Sequence, residues 1–162
     1  MIRLAQTNDL PAIESIYETA RAFMRANGNM HQWVNGYPQR ELLEGDIAGG
    51  HLFVIEENGV LHGVFAFILG NDPTYDYIEN GQWLNDKPYG AIHRIGGDGA
   101  VKGILAKALS FALQFTDEVR ADTHADNRPM QGALTKAGFV RCGVIYLENG
   151  DPRIAYHYSK EA

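Results

Sequence analysis

Apolar residues recur along this chain at two periods, and the changes between them mark its elements. Ile2 to Leu4 is a short apolar start that reads as a strand. Asp9 precedes Leu10 and Pro11, the arrangement of a helix N-cap with proline in the first turn. Ile13, Ile16, Tyr17, Ala20 and Met24 follow at steps of three and four, which predicts a helix ending at the C-capping pair Asn27–Gly28. Asn29 to Pro38 is irregular and carries Trp33 and Tyr37 among turn formers. Such aromatics either plug a core gap or line a pocket. Pro38 to Ile47 predicts a shorter second helix with Leu42, Leu43 and Ile47 inward. His51 to Glu56 and Val60 to Leu69 read as a hairpin, because Asn58–Gly59 tolerates the positive φ of a type I′ turn.

Gly70 to Pro88 is a long polar connection containing Tyr75, Tyr77 and Trp83. A connection of that length is functional or ordered by packing. Tyr89 to Ile95 reads as a strand, Gly96 to Gly99 as a glycine-rich turn, and Ala100 to Phe115 as a helix. Strand, turn and helix in that order aim backbone N–H groups at one spot, at the positive end of a helix, which suits a phosphate. Val119 to Thr123 predicts the next strand, and Asn127 to Ala137 a helix with Asp126 as its cap, Pro129 in its first turn and Gly138 at its C-terminus. Phe139 to Tyr146 and Arg153 to Tyr158 form a last hairpin around Glu148 to Pro152. The order predicts an α/β (α+β) fold: a mixed, mostly antiparallel sheet of about seven strands with helices on both faces.

Composition narrows the function. At 162 residues, with 45% hydrophobic and 21% charged residues, the chain reads as one ordinary globular domain spanning residues 1–162. A net charge of −6 argues against a nucleic-acid partner and is compatible with a cationic small molecule. No apolar run approaches a membrane span, and the N-terminus lacks the pattern of a signal peptide, so the cytoplasm is the expected location. The single cysteine, Cys142, excludes an internal disulfide, and the histidines show no metal-like spacing, so no metal is expected.

Gly103 lies eight residues after Ile95, the end of its strand, and Asn127 opens a helix that closes on Lys136-Ala137-Gly138-Phe139. With the order of elements over nearly the whole chain, these features resemble the GNAT family of acyl-CoA-dependent N-acyltransferases. The resemblance implies the acyl-CoA N-acyltransferase fold, acetyl-CoA as co-substrate and a primary amine as acceptor. A small-molecule amine is the leading expectation, attacked directly in a ternary complex. A protein or peptide amine and a catalytically weak acyl-CoA binder are the alternatives, and a homodimer is left open. In such a family the cofactor enters between two diverging parallel strands, here those ending at Ile95 and Thr123. Ile95, Ala100, Val101, Lys102, Gly103, Ile104, Leu105 and Asn127 are its expected contacts. Trp33, Tyr37 and Trp83 are expected on the acceptor side, where aromatics can form a box for a cation.

The departures bear on the chemistry. The family's cofactor loop reads Gln/Arg-x-x-Gly-x-Gly/Ala, but this chain has Ala100 at the first of these positions and Leu105 at the last. Gly96, Gly97 and Gly99 can supply the lost freedom, and Lys102 either supplies charge or is solvated. Many relatives place a general-acid tyrosine seven residues after the helix asparagine; here that residue is Leu134. His93 and His124 are therefore the candidate base and acid, since histidine titrates near neutral pH, with Asp122 or Asp126 as orienting partners and Tyr146 as a replacement acid. Cys142 is expected to be inert core.

Overall fold

The computed structural model describes residues 1–161. Its strands are β1 (Ile2–Leu4), β2 (Leu52–Glu57), β3 (Val60–Leu69), β4 (Gly90–Gly97), β5 (Glu118–Thr123), β6 (Val140–Tyr146) and β7 (Pro152–Ser159). Its helices are α1 (Leu10–Ala26), α2 (Arg40–Ala48), α3 (Ile104–Ala112) and α4 (Arg128–Ala137). The strands form one mixed, mostly antiparallel sheet, as the element pattern predicts, and their order is β1-β2-β3-β4-β5-β7-β6. Only β4 and β5 are parallel; they are joined by a crossover through α3, the connection that parallel pairing requires.

Alternation along the strands sorts the core. Val64 and Ala66 of β3 face Leu10, Ile13 and Tyr17 of α1. Phe65 and Phe67, on the opposite side, meet Leu105, Ala108 and Leu109 of α3. A third cluster, built on Tyr75, Tyr89, Ile145 and Ala155, lies where residues 70–88 cover the remaining end of the sheet. That connection is therefore ordered by packing. It contains a 3-10 turn, Pro73–Tyr75, and an isolated bridge between Glu79 and Val144. Asn58 and Gly59 have φ of 53° and 79°, as a type I′ hairpin demands.

Several boundaries differ from the sequence reading: β4 runs on through Gly96 and Gly97, which pair with Val64 and Gly63 instead of forming the turn, and α3 ends at Ala112, not Phe115. Helix α3 starts at Ile104, not Ala100. Gly99 and Gly103 are left-handed, with φ of 84° and 73°, and the Asp98 carboxylate accepts the Ala100 amide at 2.9 Å. These conformations cannot continue a helix, so Ala100 to Gly103 form a loop. At α4 the cap is Asn127 rather than Asp126: its Oδ1 accepts the Met130 amide at 3.2 Å. The expectation that Asp126 caps this helix is thereby corrected.

The feature that positions the site is a bulge in β4. Val64 pairs with Gly96 but Ala66 pairs with His93, so β4 carries an extra residue there. Arg94 adopts φ of 49°, which is costly for a side chain with a Cβ. Its guanidinium is clamped by the buried Asp46 carboxylate of α2, at 2.8 and 3.0 Å, and its carbonyl accepts the Tyr17 hydroxyl at 2.6 Å. Beyond the bulge β4 turns away from β5. Their registered pairs end at Ala91↔Arg120, and the strands diverge. Among the described residues no helix is long and apolar enough to cross a membrane.

Asp46→Ala leaves a buried guanidinium without its counter-charge, and should cost about 3 kcal/mol in a urea unfolding titration. A loss under about 1 kcal/mol would show that the pair does not hold the bulge. Asn127→Ala removes the α4 cap and should cost about 1 kcal/mol in the same assay. An unchanged unfolding midpoint would mean that another group takes over the Met130 amide.

Candidate active site

The divergence of β4 and β5 opens a cleft of about 740 Å³. Ile92 to Ile95 form one wall and Ala121 to Thr123 the other. Trp33 and Tyr37 close it from the α1–α2 connection, and Arg153 from β7. It shares Ile95, Leu105 and Met130 with a second, apolar hollow of about 630 Å³ between β4, α3 and α4. Gly96, Gly97 and Gly103 line this hollow. A Cβ on Gly97 would meet Ile104 Cγ1 at 3.0 Å, so glycine lets strand and helix approach there.

At the mouth of the second hollow, Lys107 is the first residue of α3 whose amide bonds back, to Gly103 at 2.9 Å. Among the described residues the amides of Gly103, Ile104, Leu105 and Ala106 have no such partner. Four free N–H groups at the positive end of a helix form an anion site. The loop residues Ala100, Val101 and Lys102 line neither hollow; Ala100 and Lys102 are exposed.

Two carboxylates of the cleft converge on His93. Its Nε2 is 2.8 Å from Asp72 Oδ2, and its Nδ1 lies 3.9 Å from Asp122 Oδ2. Asp72 reaches this place because it caps the Pro73–Tyr75 turn, accepting from the Thr74 amide and hydroxyl at 3.0 and 2.8 Å. Burial alone would raise its pKa. The His93 and Thr74 hydrogen bonds outweigh that and bring it down to about 2, so Asp72 is ionised at neutral pH. A carboxylate on Nε2 favours the Nε2–H tautomer and leaves Nδ1 as the accepting nitrogen. The buried Tyr75 hydroxyl donates to Asp122 Oδ2 at 2.7 Å, while its ring stacks near that of His93, 5.7 Å between centroids. Asp122 thus faces His93 and not His124.

The aromatic wall is held from behind. Arg25 donates to the carbonyls of Asn29, Gln32 and Trp33 at 2.8 to 2.9 Å. Trp33, with φ of 54°, meets Tyr17 edge-on at 5.4 Å. Asn127 reaches the same loop, its Nδ2 donating to Gln32 Oε1 at 3.1 Å. Beside it, Thr123 Oγ1 is fully buried on the cleft wall without a protein partner.

Of the side chains singled out in the sequence, the fold brings His93, Ile95, Leu105, Asn127, Trp33 and Tyr37 to the cleft, and Gly103 and Ile104 to the adjoining hollow. Three others lie elsewhere. His124 is outside the cleft wall, where its Nδ1 accepts the Asp126 amide at 2.9 Å; burial, then Arg153, push its pKa down. Tyr146 is exposed and hydrogen-bonds Glu79, which raises its pKa. Trp83 packs in the third cluster, its Nε1 donating to Tyr75 O at 2.9 Å and its face covered by Arg120 at 4.2 Å. Leu134 is buried and lines the cleft, bringing no hydroxyl to it. Burial pushes the Cys142 thiol up, consistent with inert core. Sequence reasoning does not single out Asp72, Asp46 or Arg153: Asp72 before Pro73 is a turn signal and Arg153 a charge in an apolar strand, but neither names its partner. Among the described residues no group of three or more His, Cys, Asp or Glu could hold a metal ion.

No family sequence model matches the chain, and no functionally curated protein does. Solved structures do. A GNAT-family acetyltransferase from Streptococcus agalactiae is 34% identical, with a TM-score of 0.89, over 100% of this chain and 96% of that one. A GNAT acetyltransferase from Listeria monocytogenes, 21% identical, superposes with a TM-score of 0.71 over 98% of this chain and 94% of its own. The yncA protein of Salmonella typhimurium, solved with its cofactor acetyl-CoA, is 19% identical, with a TM-score of 0.60 over 99% and 93%. The bulged β4, its divergence from β5, the free amides of α3 and a 34% identical relative of nearly equal length lead to one assignment: the chain belongs to the GNAT family of acetyltransferases.

Proposed function

We propose that this protein transfers an acetyl group from acetyl-CoA to the primary amine of a small, cationic molecule, by direct attack in a ternary complex. The observation that carries the proposal is the pairing of two features in one connected space: four free helix amides at one end and the Asp72–His93 pair at the other.

The residues present fit the cofactor. The amides of residues 103–106 suit its phosphates. The diverging edges of β4 and β5 offer unpaired backbone groups to an extended amide-bearing arm, as a strand would. The unpartnered Thr123 hydroxyl offers one more hydrogen bond there. Bound acetyl-CoA would supply an activated thioester. The chain's own residues handle the amine. Asp122 attracts the ammonium form, and His93 Nδ1, facing the same place, takes its proton. Asp72 holds the imidazole in the required tautomer and stabilises the imidazolium that results. Trp33 and Tyr37 enclose the acceptor and exclude water. Leu134 offers no proton to a departing thiolate. A thiol with a pKa of about 8.5 leaves without much help near neutral pH, so solvent suffices.

A small acceptor is favoured over a protein because the connection at residues 70–88 packs down against the sheet and the Trp33 loop is tied by Arg25, which fixes Trp33 and Tyr37 beside the acceptor. The protein is expected to work in the cytoplasm.

Ala106→Asp should separate binding from folding. The position is exposed in the first turn of α3 and lines the second hollow, where aspartate suits the helix but its charge opposes a phosphate. Calorimetry should show CoA affinity falling at least about tenfold with the melting temperature nearly unchanged. Equal affinity would remove the α3 amides from the site. His93→Gln should lower kcat/KM about 100-fold while CoA affinity stays within a factor of about two. A variant as active as the natural protein would exclude His93 as the base.

A further inference from the structure

Arg153 is a withdrawn charged group on the cleft wall that the chemistry above does not use. It sits on β7 and is 7% exposed. Its single hydrogen bond among the described residues runs from Nη1 to the neighbouring Pro152 carbonyl, at 2.9 Å, and it belongs to no salt bridge. A guanidinium has five N–H groups, so most of this fork is left for something else. The other withdrawn arginines have side-chain partners, although Arg120 Nε is buried without a hydrogen bond. Arg94 is gripped by Asp46 through two hydrogen bonds. Arg120 lies between the rings of Trp83 and Tyr89, at 4.2 and 4.0 Å, and donates to Asn85 O. Arg153 has neither a carboxylate nor a stacking partner.

Its position relative to the proton chemistry is set by strand register. Asp122 pairs with Ala155 across β5 and β7, and Arg153 is two residues before Ala155, hence on the same face. Diagonal neighbours of this kind have Cβ atoms about 7–8 Å apart. Asp122 and Arg153 therefore present opposite charges to one stretch of the cleft without neutralising each other directly. Glu148 and Asp151, also at the cleft, are exposed and screened by water.

We propose that the acceptor amine also carries a carboxylate, and that Arg153 binds it while Asp122 and His93 take the amine. The inference rests on the acetyl-transfer reading above, keeps its small acceptor with a cationic amine, and replaces net positive charge by a carboxylate partner, which makes the substrate class amino acids. The planar fork of arginine matches a carboxylate through two parallel hydrogen bonds. Burial depresses the Arg153 pKa, with Asp122 and Asp151 only partly offsetting it; an incoming anion would relieve that cost. The role is one of specificity, since Arg153 makes no bond to the reacting nitrogen.

The test measures CoA thiol release with α- and ω-amino acids, the same compounds as carboxamides, and the corresponding amines without a carboxyl group. The natural protein should prefer at least one free acid over its amide by about 100-fold in kcat/KM. Arg153→Gln should abolish that preference while amide turnover stays within about threefold, and Arg153→Lys should restore part of it. Equal use of acid and amide by the natural protein would overturn the inference and leave acetyl transfer standing. So would an Arg153→Gln variant that loses both activities alike, which marks a structural role. If CoA binds but no amine is acetylated, the acetyl-transfer reading fails, and this inference falls with it.

Discussion

The clamp of Asp46 on Arg94 is the interaction on which the candidate active site rests. A non-glycine residue in the left-handed region is unfavourable, and an extra residue in a strand disrupts its ladder. Both persist because Arg94 is fixed at two points: its side chain by α2 and its carbonyl by the Tyr17 hydroxyl of α1. The first two helices thus do more than cover a sheet face. They bend the central strand, and the bend parts β4 from β5. The cleft, the unpaired strand edges and the approach to α3 all follow from that separation.

A second constraint comes from the connection at residues 70–88. Its aromatic residues bury against the end of the sheet, and that packing carries two polar groups to the same histidine. Asp72 arrives as the cap of a short turn; Tyr75, within that turn, ties Asp122 by its hydroxyl. Apolar burial here supplies the energy, and the polar groups are positioned by it. The same economy appears at the Trp33 loop, where a single arginine, Arg25, accepts the task of satisfying three carbonyls.

Most of the fold was legible in the sequence, because helices and strands announce themselves by period and their ends by Asn, Gly and Pro. The start of α3 was not. Val101 extends the apolar period of that helix backwards, while the left-handed Gly99 and Gly103 that break it are invisible to a periodicity argument. At α4, two adjacent residues were each competent caps, and only the backbone decides that Asn127 takes the role. The site was legible where it depended on one strand: His93 and Ile95 flank the bulge and line the cleft. It was hidden where it depended on packing between distant segments. Nothing near Asp72 or Asp46 in the chain points to His93 or Arg94, which lie 21 and 48 residues away. Trp83 misled for the same reason, since a loop aromatic reads alike whether it faces a pocket or a core.

The place of β7 in the sheet has a consequence for how the protein is made. β5 and β6 never pair with each other; β7, which follows both, lies between them and bonds to each. Synthesis proceeds at about 5–20 residues per second, so for a short interval a chain emerging through β6 holds two strand edges that can find no native partner. Unpaired edges are templates for pairing with other chains. The strand that closes this gap also carries Arg153, so the same segment that pairs the open edges completes the cleft wall.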